Sequence, residues 1–111
     1  MDWKQLTADE QIDIIRERSA EKPQLIFKHS TRCAISSMAK SRLERATAPD
    51  SIDFYYLDLI ANRALSQKVA SSFGVEHESP QVLLIKDGRC VYNESHSGIS
   101  MDEILVHSSS F

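Results

Sequence analysis

Cys33 lies where the apolar run Gln24-Leu25-Ile26-Phe27-Lys28 gives way to a stretch of helical periodicity, and the residue one helical turn further on is Ser36. A sulfur in the first turn of a helix meets unsatisfied backbone N–H groups and the positive end of the helix dipole, and both favour thiolate over thiol. Arg32 adjoins it, and Lys28 and His29 come just before, which adds positive charge. The thiolate is the nucleophile of thiol–disulfide exchange, and the environment that stabilises it also makes it a better leaving group. Ser36 can donate its O–H to that thiolate but cannot attack a mixed disulfide at neutral pH. The expected chemistry is therefore acceptance of a sulfur from another molecule, with release by a thiol from outside. His29 and Cys33 alone, without a second clustered pair of ligands, fall short of a zinc site, so no metal is predicted.

The elements that must position this thiol alternate between helical and extended patterns. Thr7 and Glu10 have capping-box spacing, which predicts a first helix from about Ala8 to Ser19 with Ile12 and Ile15 facing inward, and Pro23 blocks its continuation. Gln24 to Lys28 reads as a strand covered on both faces. Ile35, Met38, Ala39, Leu43 and Ala46 recur at helical spacing and are expected to form a buried stripe, leaving Cys33, Ser36, Ser37 and Lys40 on a wetter side. Ile52 to Leu57 suits a second strand, and Leu65, Val69 and Phe73 outline a helix closed by Gly74. Val82 to Ile85 reads as a strand, Asp87-Gly88 is a hairpin turn, and Arg89 to Asn93 pairs back antiparallel. Ser100 caps a last helix, with Glu103 three residues on. This order predicts one α/β domain of thioredoxin-like fold over residues 1–111, a mixed four-stranded central sheet flanked by helices, with an extra N-terminal helix.

That fold supplies further candidates. Pro80 stands immediately before a strand, where the fold usually has a cis peptide; the backbone of Ser79 would then face the cysteine and pair with an extended substrate. His96, Ser97 and Gly98 follow the last strand and return to the same edge, which makes His96 a candidate for ligand contact. Thr31 and Ala34 flank the Arg32-Cys33 pair and complete the substrate-binding set. Cys90 lies beside the hairpin at the opposite edge. The strand from Val82 to Lys86 alone covers roughly 17 Å, beyond the ~7 Å limit on Cα separation in an unstrained disulfide. Cys90 is expected to be a small packed side chain.

The chain has 111 residues, 41% of them hydrophobic, enough for one ordinary core, and its 13 basic against 16 acidic side chains give a net charge of −3. That balance predicts no general attraction to nucleic acid or anionic lipid. The start, Met1-Asp2-Trp3-Lys4-Gln5, lacks a hydrophobic signal core, and no apolar run approaches the ~20 residues that span a bilayer. A cytoplasmic protein with two free thiols is expected.

The segment Lys28-His29-Ser30-Thr31-Arg32-Cys33-Ala34-Ile35-Ser36, with Glu78-Ser79-Pro80-Gln81, Lys86-Asp87-Gly88 and Ser95-His96-Ser97-Gly98-Ile99-Ser100, resembles the monothiol bacilliredoxin (YtxJ-like) family over nearly the whole chain. The resemblance implies a thioredoxin fold and removal of bacillithiol from S-bacillithiolated proteins. It makes Cys33 the nucleophile that takes up bacillithiol, Ser36 the replacement for a resolving cysteine, and Pro80 the cis-proline. Ala34 stands where family members usually have proline. The implied partners are a low-molecular-weight thiol and S-thiolated client proteins, with bacillithiol as co-substrate and no permanently bound cofactor. Two other readings are a glutathione-dependent monothiol glutaredoxin, whose usual Gly-Phe is absent at Ala34-Ile35, and a noncatalytic adaptor that binds clients at the Cys33 edge.

Overall fold

In the computed structural model, which describes residues 1–109, the chain runs β1 (Lys4–Gln5), α1 (Glu10–Arg18), β2 (Gln24–His29), α2 (Ala34–Arg45), β3 (Asp53–Asp58), α3 (Arg63–Phe73), β4 (Gln81–Lys86), β5 (Arg89–Ser95), a 3-10 turn (His96–Gly98) and α4 (Met101–Ser109). The strands form one mixed sheet in the order β1-β3-β2-β4-β5, with β1 and β2 parallel to β3 and β4 antiparallel to β2 and β5.

All residues of β2 are buried. Because side chains alternate along a strand, they feed two separate cores. Leu25 and Phe27 join Ala39, Leu43, Val82, Leu84 and Ile104 on the face covered by α2 and α4. Ile26 joins Ile12, Ile15, Leu57, Leu65, Val69, Leu83 and Ile85 on the face covered by α1 and α3. Coverage on both faces explains why the β2 sequence reads as a continuous run rather than an alternation. The hairpin between β4 and β5 places Asp87 at φ 54° and Gly88 at φ 80°, the paired left-handed conformations that suit strand twist in a two-residue turn. Gly74 ends α3 at φ 65°, and Ser100 Oγ accepts a hydrogen bond from the Glu103 N–H at the start of α4.

Three expectations are corrected. The sheet has five strands rather than four, because Lys4–Gln5 adds a short parallel edge beside Tyr55 and Tyr56. The helix expected as an N-terminal extra is the connection from β1 to β2. Trp3 packs on Phe27 and Phe54 on one face of the sheet, while Leu6 is buried in the other core. Second, the Thr7–Glu10 capping box does not form. The Gln11 side chain does that work: its Oε1 accepts from the Thr7 and Ala8 N–H groups at 2.7 and 3.0 Å, and its amide donates to the Gln5 carbonyl. Third, α2 is rotated from the expected phase. Its buried residues are Ser36, Ala39 and Leu43, whereas Ile35 and Met38 are 54% and 62% exposed. A buried serine displaces the apolar pattern here because its hydroxyl has fixed partners.

Candidate active site

Cys33 occupies the N-cap position of α2 in an extended conformation (φ −110°, ψ 121°). Its N–H donates to the Ser30 carbonyl at 3.1 Å and its own carbonyl accepts from the Ser37 N–H at 3.0 Å, which pins the turn between β2 and the helix. The thiol is free and half-buried, and Thr31, Arg32 and Ala34 around it are exposed. Cys33 thus stands at a helix mouth, on the edge where β2 ends.

Ser36 is not on the wet side of the helix. It is fully buried, its Oγ lies 2.6 Å from His29 Nδ1, and it accepts a hydrogen bond from the Ser30 N–H at 3.0 Å. His29 is itself 4% exposed, packed between the Phe27 and Tyr56 rings with centroids 5.7 and 5.5 Å away. Burial holds its pKa below the ordinary imidazole value, aided by Lys40, against the opposing pull of Asp58 and Glu44. Sequence reasoning missed His29 as a partner of Ser36; the signal was a histidine ending a strand that is buried on both faces.

The other candidates converge on the same edge. The Ser79–Pro80 peptide is cis, as expected. The loop before it is closed by the Gln81 side chain, whose amide donates to the Glu76 carbonyl and whose Oε1 accepts from the Glu78 N–H. The His96 N–H donates to the Pro80 carbonyl at 3.0 Å, and His96 Nε2 lies 3.3 Å from Glu78 Oε2, so the 3-10 turn and the Pro80 loop are joined. Arg42 on α2 donates to the Ile99 carbonyl, tying the helix of Cys33 to that turn. Ser79 Oγ is buried with no hydrogen-bond partner among the described residues.

Cys90 stands apart. It pairs with Ile85, which sits near Gln24 at the start of β2, while Cys33 follows the far end of that strand. The length of β2 separates them by roughly 17 Å. Burial pushes the Cys90 thiol pKa up, and its Sγ donates to the Tyr92 carbonyl at 3.2 Å.

A second buried polar pair lies on the other face of β2. Lys28 is fully buried, its Nζ is 3.1 Å from His77 Nδ1, and desolvation lowers its pKa to about 8. Ser66 Oγ lies 3.3 Å from the same ring nitrogen. Lysine in the run Gln24 to Lys28 gave no sequence signal of this contact. Among the described residues no three His, Cys, Asp or Glu side chains form a group able to hold a metal ion, and no helix is long and apolar enough to cross a membrane.

A protein described as a candidate oxidoreductase with a thioredoxin fold superposes with a TM-score of 0.81 at 29% identity, covering 93% of this chain and 90% of its own. Thioredoxin from Malassezia sympodialis (Mala s 13) matches with a TM-score of 0.78 at 18% identity over 97% of this chain and 92% of that one. Thioredoxin from Trypanosoma brucei brucei matches at 0.72 and 12% identity over 96% and 85%. The latter two establish the fold. Residues 4–104 match the family model of the monothiol bacilliredoxin BrxC, and this family together with the thioredoxin-fold oxidoreductase likeness supports thiol–disulfide exchange. With a half-buried thiol at the mouth of α2, a serine one turn on and the second cysteine at the far end of the sheet, the chain belongs to the monothiol bacilliredoxin family.

Proposed function

We propose that this protein removes bacillithiol from S-bacillithiolated client proteins in the cytoplasm through a mixed disulfide on Cys33. The Cys33 thiolate attacks the bacillithiol sulfur of the client disulfide. The new bond joins Cys33 Sγ to that sulfur, the old S–S bond breaks, and its electron pair leaves on the client cysteine. A second low-molecular-weight thiol then displaces bacillithiol from Cys33. The observation that carries this reading is the isolation of Cys33 from Cys90 together with Ser36 in the position one turn away, which leaves external resolution as the route back to the free thiol.

Client recognition draws on the exposed Thr31, Arg32 and Ala34, on the apolar Ile35 and Met38 that α2 turns outward, and on the Ser79–Pro80 backbone. His96, held against the Pro80 loop by Glu78, lies at the same edge.

The test is to mix the reduced protein with an S-bacillithiolated model client and, separately, with a glutathionylated one, and follow mass transfer by intact mass spectrometry. An adduct of bacillithiol on Cys33, absent in Cys33→Ser, is the expected result. Preference for glutathione would replace the thiol named here. No adduct from either, with client binding retained in Cys33→Ser, would make the protein an adaptor.

A further inference from the structure

Between α3 and the loop before Pro80 lies a small open cavity, lined by Leu59, Arg63, Ser66, Gln67 and His77. Its volume of about 130 Å³ suits a single chemical group and falls well short of the ~300–1,000 Å³ that surrounds a whole small-molecule ligand. No acidic residue lines it.

The charge around this cavity is one-sided. Arg63 brings a guanidinium that makes no ion pair among the described residues. Lys28, fully buried, holds its Nζ 3.1 Å from His77 Nδ1 and has no carboxylate partner among the described residues. With a pKa of about 8 it is charged at pH 7. An ammonium can only donate, so Nδ1 accepts and the neutral His77 ring carries its proton on Nε2. That second N–H finds no acceptor among the described residues. The first turn of α3 contains no acidic residue and Asn62 makes no side-chain capping bond, so nothing offsets the positive end of the helix dipole. The acids nearby are engaged elsewhere. Glu78 lies on His96, and Asp58 accepts from the Ile60 N–H and acts on His29, which stacks on Phe27 on the other face of the sheet.

We propose that this cavity is an oxyanion site that takes one carboxylate or phosphate group. Its position bears on where that group comes from. The Leu59 N–H donates to the His29 carbonyl at 3.0 Å, and the Cys33 N–H to the Ser30 carbonyl at 3.1 Å. These two bonds, one residue apart on the chain, bring the Leu59 rim of the cavity within ~11 Å of the Cys33 backbone nitrogen. A free anion can fill the site, and so can a carboxylate at the end of a small thiol carried on Cys33. The second source rests on the exchange reading above; the anion site itself does not.

The first arm of the experiment titrates acetate and inorganic phosphate into the reduced full chain at pH 7 and fixed ionic strength, following the amide resonances of Arg63, Ser66, Gln67 and His77 by NMR. Saturable shifts in the millimolar range are expected, and acetamide, the uncharged match of acetate, should give none. Lys28→Met should weaken binding about fivefold or more, as removal of one charge from a largely desolvated position requires, and Arg63→Gln about threefold, because that charge is exposed. Arg63→Gln, on the surface, keeps the test intact if the buried substitution perturbs folding. Shifts that climb without saturating, equal shifts with acetamide, or an affinity unchanged in Arg63→Gln would overturn the site. The second arm repeats the phosphate titration with Cys33 capped as its mixed disulfide with ω-mercaptooctanoate or with ω-mercaptooctanol, in a Cys90→Ala background. Phosphate affinity about threefold or more lower in the carboxylate adduct alone assigns the site to the small thiol; equal affinities in the two adducts assign it to a free anion.

Discussion

Replacing Lys28 by methionine should make the protein more stable at neutral pH. Lys28 is fully buried and has a neutral imidazole as its partner, and its pKa falls from the ordinary 10.5 to about 8. A base whose pKa is lower in the folded state holds fewer protons there than in the unfolded chain, so between about pH 8 and 10.5 stability rises with pH. Below pH 8 the folded state carries the full cost of burying the charge, about 3 kcal/mol at ~1.36 kcal/mol per pH unit. Methionine has a similar unbranched shape and removes that cost. The substitution gives up one hydrogen bond to His77, worth about 1 kcal/mol, but leaves Ser66 Oγ beside the same nitrogen. The net expectation is a gain of about 2 kcal/mol at pH 7, falling away and reversing sign by about pH 10. Urea unfolding of both proteins at several pH values from 7 to 10 measures this. The raised pKa values of Cys90, Tyr55, Tyr56 and Tyr92, each driven first by burial, act in both proteins and cancel in the difference. A variant less stable at pH 7, or a difference that stays constant over this range, would refute the reasoning.

Ser36→Ala leaves the Ser30 N–H and His29 Nδ1 without their shared partner in a buried site and should cost about 1–3 kcal/mol in chemical denaturation. Gln11→Ala removes the side chain that closes the start of α1 and should cost about 1 kcal/mol, with faster amide exchange at Thr7 and Ala8. Gly74→Ala forces a Cβ into a φ of +65° with open space around it, so thermal melting should register a loss of about 1 kcal/mol from backbone strain alone. Asp53 is desolvated, which opposes ionisation, but its bonds to Gln24 and Lys22 and the charge of Lys4 win and lower its pKa. Its contribution should thus be present above the ordinary carboxylate pKa and vanish as pH falls through the lower folded value, and Asp53→Asn should flatten that acid limb of the stability curve.

Much of the fold was legible because its signals are local. The apolar run of β2, the Asp87-Gly88 turn, Gly74 at the end of α3 and Ser100 before α4 each carry their reason in adjacent residues. The thiol's address was legible for the same reason, since strand, cysteine and helix are contiguous. What escaped depends on contacts distant in sequence. Two residues of β1 are too few for a period to show, and they exist as a strand because β3 offers an edge. The phase of α2 was misread because hydrophobicity points to Ile35 and Met38, whereas the pairing of Ser36 with His29 sets which side turns inward. Gln11 outcompeted the Thr7–Glu10 box by reaching back to the Gln5 carbonyl as well.

The distance between the two cysteines has a consequence for oxidative damage. If peroxide converts Cys33 to a sulfenic acid, Cys90 lies too far along the sheet to trap it as a disulfide. A rescuing disulfide must then come from a thiol arriving from solution, before a second oxidation makes the loss irreversible. The abundance of small thiols around the protein therefore sets how long the Cys33 thiol survives stress.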